Sequence, residues 1–177
     1  MDIFIIKITD ADNVHKELLK EFQKKEISNP KTWNAHCLSY LMADRILREV
    51  YKIEDREVIF DNNKPILKNG GKHFSISHSG EYIALGFSDY NCGIDIEGVG
   101  VGVNSNRDWK AIAERMRFNS KSEEEFYKDW TKYEANYKLR DELKSIYQTQ
   151  LDNYYITAVS ENPEEKFELY LDIKKGA

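Results

Sequence analysis

The chain has 177 residues, 41% of them apolar and 32% charged, with a formal net charge of −5. That is a globular balance, with enough chain to bury a core and no basic footprint for nucleic acid. Two cysteines, Cys37 and Cys92, are too few for a disulfide framework and form no zinc-type cluster. No basic n-region or cleavage site precedes the apolar run near the N-terminus, and no apolar stretch approaches the ~20 residues needed to span a bilayer. A cytoplasmic protein with no membrane partner is expected.

Ile3 to Ile8 is a short β-branched run and reads as a strand. Asp12 can cap a helix in which Val14, Leu18, Leu19 and Phe22 recur at helical spacing. Pro30 suits a second helix start, and Trp33, Cys37, Leu38, Leu41, Met42, Ile46 and Leu47 form a stripe from Thr32 to Val50. Asp61 to Pro65 (DNNKP) is a turn signal. His73 to Ser77 and Tyr82 to Phe87 read as strands joined tightly through Ser79 to Glu81. Cys92 to Glu97 is a further strand, followed by the glycine-rich stretch Gly98 to Asn104. That stretch has no Walker lysine and reads as a surface connection. Asp108 can cap a helix to about Phe118. Ser122, with Glu125 at capping-box spacing, can cap a longer one to about Lys138. Strands near Tyr154 to Ser160 and Lys166 to Ile173 close the chain.

The order strand, two helices, strands occurs twice. It suggests an α+β fold of two similar lobes, 1–90 and 91–177, meeting near Tyr90 in a pseudo-twofold arrangement. A single mixed α/β domain is the alternative.

Three segments carry chemistry. In Gly93 to Glu97 (GIDIE), strand alternation puts Asp95 and Glu97 on one side and Ile94 and Ile96 on the other. Paired carboxylates repel unless neutralised, and a magnesium ion would neutralise them; an ordinary solvated strand face fits the same spacing. In Trp130 to Lys138 (WTKYEANYK), Glu134 and Lys138 lie one helical turn apart, which also fits a surface ion pair beside a core stripe of Trp130, Tyr133 and Tyr137. In Phe74 to Gly80 (FSISHSG), alternation separates Phe74, Ile76 and His78 from Ser75, Ser77 and Ser79. With no GxSxG, a hydrolytic triad on His78 has little support.

Taken in order, FSISHSG, GIDIE and WTxxEAxxK resemble the motifs of the surfactin-synthetase type of 4′-phosphopantetheinyl transferase, from about Asn63 to Lys138. The resemblance implies coenzyme A in a cleft between two lobes, an acyl or peptidyl carrier protein as second substrate, and a monomer. It implies that Asp95, Glu97 and Glu134 hold magnesium, that His78 and Lys64 contact coenzyme A phosphates, and that Lys138 binds the diphosphate. Glu134 and Lys138 become the catalytic pair. Ile112 to Glu123 resembles the helix and turn where carrier proteins dock. Tyr133 stands where the family has a lysine before the glutamate. Cys37, after Ala35-His36, stands where it has an arginine for the 3′-phosphate. These departures suit a second reading, a weakened relative that binds coenzyme A or carrier protein without turnover. A third reading is an unrelated α+β protein with chance motifs, in which the GIDIE strand and Glu134 would lie far apart.

Overall fold

A computed structural model describes residues 1–8, 30–100 and 107–171, without the side chains of 30–34. The helix expected over Val14 to Phe22, and most of the glycine-rich stretch after Gly98, lie outside the described residues. The described elements are mixed α and β. They are β1 (Asp2–Lys7), α1 (Pro30–Glu49), β2 (Val58–Asp61), β3 (Lys64–Leu67), β4 (His73–Ser79), β5 (Tyr82–Ser88) and β6 (Cys92–Gly98). Then come α2 (Trp109–Met116), α3 (Glu123–Leu139), β7 (Ser145–Leu151), β8 (Tyr154–Ser160) and β9 (Glu168–Leu171).

β1 is apolar on both faces because both are covered. It pairs antiparallel with β5 (Ile5 opposite Ala84) and parallel with β9 (Ile3 opposite Leu169), giving a sheet in the order β4-β5-β1-β9. Phe4 and Ile6 face α1, where Leu38, Ala43, Ile46 and Leu47 meet Phe74, Ile83, Leu85 and Phe87. Ile3 and Ile5 face the other way, onto Ile94 and Ile96 of β6 and Ile156 and Ala158 of β8. β6, β8 and β7 form a second, antiparallel sheet. One core cluster therefore joins both sheets, and β9, late in the chain, is laid into the first of them.

β2 and β3 form a separate hairpin. Its turn residues Asn62 and Asn63 both have positive φ, as a two-residue hairpin turn requires, so DNNKP is a turn inside a hairpin whose strands the sequence reading did not anticipate. β7 is a second addition: Ile146, Gln148 and Gln150 face outward while Tyr147 and Leu151 reach the core.

The helix caps follow the sequence. Asp108 Oδ1 accepts from the Ala111 amide at 3.1 Å and Ser122 Oγ from the Glu125 amide at 3.2 Å. Glu125 returns its bond to the Lys121 amide (2.6 Å), one residue ahead of the cap. α3 then lies across β6 and β8 through Tyr127, Thr131, Ala135 and Leu139. Trp130 is only half-buried and Tyr133 and Tyr137 are exposed, so these three are not the core stripe of this helix. Among the described residues no helix is long and apolar enough to cross a membrane.

Gly93 sets how closely α3 approaches β6. A Cβ there would lie 2.0 Å from the Ala135 carbonyl oxygen and 2.9 Å from the Leu139 nitrogen, both backbone atoms that cannot rotate away. Gly93→Ala is expected to push the helix off the strand and cost about 1–3 kcal/mol or more. Denaturant unfolding checks this; a midpoint equal to wild type would show that the contact is not tight.

Candidate functional site

The alternation in β6 sends Ile94 and Ile96 into the shared core and Asp95 and Glu97 to the opposite face. Both acids are nevertheless buried, at 5% and 8% exposure, so the solvated-strand reading fails. Asp95 Oδ1 accepts from Ser77 Oγ (2.7 Å) and from Lys138 Nζ (2.8 Å). Its Oδ2 is buried and has no hydrogen-bond partner among the described residues. Glu97 Oε1 pairs with Arg107 Nη1 at 3.0 Å.

Burial pushes the Glu97 carboxyl up to about 7; Arg107 opposes this, while Asp95 adds to it. Burial also raises half-buried Glu134, followed by the charge of Asp95, with Lys138 and Arg107 opposing. The GIDIE strand and Glu134 lie near one another, against the reading of chance motifs. Lys138 does not form the expected surface pair with Glu134. Its ammonium crosses to Asp95 and to the Ile94 carbonyl (3.1 Å).

Glu134 and Lys138 also wall a cavity of about 370 Å³, bounded elsewhere by His36, Tyr40, Lys64 and His78. Burial holds His78 below the ordinary histidine range, helped by the nearby charges of His36 and Lys138. Lys64 is at the wall, but its ammonium is turned inward to Asn91 Oδ1 and to the carbonyls of Cys92 (3.2 Å) and Leu139 (3.3 Å). A phosphate could use it only by exchanging some of those bonds. Arg140, in the left-handed cap of α3, donates to the Asp61 carbonyl (2.7 Å) and the Asn62 carbonyl, tying the β2–β3 turn to the cavity rim.

The chemistry available here is specific. A buried carboxylate oxygen without a partner, beside two further acids, suits a hard divalent cation. The nitrogens of His36, His78 and Lys138 suit anionic oxygens. As the side chains stand, no three His, Cys, Asp or Glu groups among the described residues come close enough together to hold an ion, and Lys138 and Arg107 pair with two of the carboxylates.

Two participants lie outside what the motifs point to. Ser77 lay on the correct side of its strand by alternation, yet nothing local to the sequence paired it with Asp95. Arg107 belongs to no motif, and only folding brings it to Glu97. Cys37 keeps its place in the apolar stripe of α1. It is wholly buried, its thiol pushed up to about 11 by burial, and the cavity wall is made by its neighbour His36 and by Tyr40. A side chain at position 37 therefore starts from the buried side of the helix rather than from the cavity wall.

No protein-family model matches the chain. Over 112 residues it is 29% identical to the 4′-phosphopantetheinyl transferase psf-1 of Bacillus pumilus, an alignment covering 55% of this chain and 48% of the relative. The chain thus spans about half the length of the curated relative it matches.

The burial of Cys37 yields a prediction. Cys37→Arg is expected to lower the melting temperature, since a guanidinium would be buried there without a partner, at a cost of about 1–3 kcal/mol or more. Added coenzyme A should not stabilise the variant beyond wild type. A thermal melt with and without coenzyme A checks this, and enhanced ligand stabilisation would restore the lost-arginine alignment.

Proposed function

We propose that this protein transfers the 4′-phosphopantetheine arm of coenzyme A to a serine of an acyl or peptidyl carrier protein and releases 3′,5′-ADP. The observation that carries the reading is the buried Asp95, bonded to Ser77 and Lys138, which both line a cavity that His78 and Glu134 also wall. The likeness to the Bacillus pumilus transferase supports the same class of reaction. On this reading the protein acts in the cytoplasm as a monomer, and the cavity is the cleft between the lobes 1–90 and 91–177.

Phosphoryl-type transfer asks a protein mainly for positioning and charge. A carrier serine attacks the β-phosphorus, and the bond to the departing 3′,5′-ADP breaks. Lys138 and His78 hold phosphate oxygens, with Lys138 nearest the charge that grows during the step. Glu134, half-buried and raised toward neutrality, accepts the serine proton. Ser77 holds the Asp95 carboxylate in a fixed orientation. Asp95, Glu97 and Glu134 would hold a magnesium ion, which supplies positive charge to the diphosphate when bound.

The weakened-relative reading has one observation in its favour: Lys64 is tied to Asn91 and two carbonyls rather than offered to the cavity. Mass spectrometry of apo carrier proteins incubated with the protein, coenzyme A and magnesium separates the two. The proposal expects the phosphopantetheine mass on the carrier serine. Coenzyme A binding with no mass gain on any apo carrier would favour the second reading.

Two variants refine the roles. EDTA, or Asp95→Asn, is expected to lower turnover by about 10²–10³ while circular dichroism stays unchanged. Glu134→Gln is expected to reduce single-turnover rate by about 10²–10⁴ with a much smaller effect on coenzyme A affinity. A collapse of affinity with a normal rate in the bound complex would remove Glu134 from the proton transfer.

A further inference from the structure

Both acids of β6 already have a cation, and the two cations differ in kind. Lys138 lines the cavity, and its ammonium is shared between Asp95 and the Ile94 carbonyl. Arg107 is not part of the cavity wall. Its guanidinium reaches Glu97 from beyond the rim, with side-chain exposures of 18% and 11% for the pair. We infer that Arg107 is a built-in competitor for the divalent cation, holding Glu97 in the metal-free protein and setting how tightly the acids take the ion.

The inference rests on the proposal that these acids bind a metal, and it has its own physical basis. A guanidinium and a divalent cation cannot sit on one carboxylate oxygen, since like charges at that spacing repel. Arg107 therefore has to yield Oε1 before that oxygen can serve as a ligand, and its charge weakens the hold of the other oxygen on an ion. Arg107 leads directly into α2: its carbonyl accepts from the Trp109 amide at 3.0 Å, and the next residue, Asp108, caps the helix. A second resting place is already in contact, because the guanidinium carbon lies 5.1 Å from the centre of the Trp130 ring. An arginine over an indole face keeps a favourable interaction after it leaves a carboxylate. Trp130, half-buried on α3, thus makes release of Arg107 less costly.

Calorimetric titration of Mg²⁺ and Mn²⁺ into metal-free protein, without coenzyme A, tests this. Arg107→Met, which keeps an apolar stem beside Trp130, should bind either ion about tenfold more tightly or better, within the range of ordinary coupling between sites. Arg107→Lys, which keeps the charge, should remain near wild type. Equal or weaker binding by Arg107→Met overturns the inference. Binding by wild type that Asp95→Asn abolishes and Arg107→Met leaves unchanged overturns it while sparing the metal site. Absence of binding in every protein overturns both. Should Arg107→Met fail to fold, ¹⁵N NMR of the wild type decides: the Arg107 side-chain Nε–H resonance must move when Mg²⁺ is added, and a stationary resonance refutes release.

Discussion

Three serine hydroxyls on β4 tie the edge of the first sheet to β6 of the second. Ser75 Oγ accepts from the Ile94 amide (3.1 Å), Ser79 Oγ accepts from the Gly98 amide (3.0 Å), and between them Ser77 Oγ donates to Asp95 (2.7 Å). All three serines are buried. Without them, two β6 amides would be left inside the protein with no water to replace the lost partner, a cost of about 1–3 kcal/mol each. The same seam fixes which way the site points. It holds β6 so that its isoleucines close the core and Asp95 is aimed, already oriented, toward α3.

Burying that much charge has a consequence. Two carboxylates under 10% exposed, with Glu134 beside them, would be strongly unfavourable if left ionised and alone. The fold meets this with Lys138 and Arg107, yet Glu97 still rises to about 7 and Asp95 keeps one oxygen without a partner. Such residual imbalance is typical of sites built to receive a ligand. The cavity beside it carries the opposite character, with His36, His78 and Lys138 on its wall. Gly93 completes the arrangement, because only a residue without a side chain lets the helix bearing Glu134 and Lys138 lie so close to the strand bearing Asp95.

Much of this was legible in the sequence where periodicity governs. The two-residue repeat in GIDIE and FSISHSG assigned each side chain to its face, and the Asp108 and Ser122 caps placed both later helices. What periodicity cannot specify is the partner across the chain. Helical spacing sets Lys138 beside Glu134, whereas its bond is to Asp95, 43 positions away. Cys37 belongs to the apolar stripe and also stands where the family has an arginine; one residue on a helix rotates the side chain by about 100°, which separates the half-buried His36 at the cavity from the wholly buried thiol. β7 escaped notice because SIYQTQL, with a polar outward face, resembles a loop until β8 pairs with it. Arg107 has no local signature of any kind.

The central claim is that the β6 acids and the neighbouring cavity form one site, in which divalent metal and coenzyme A bind together. Titration of coenzyme A into the protein, followed by calorimetry in magnesium and again in EDTA, tests it most directly. The account predicts saturable binding in magnesium that weakens markedly in EDTA. Binding of equal strength in both, or none in either, would contradict it.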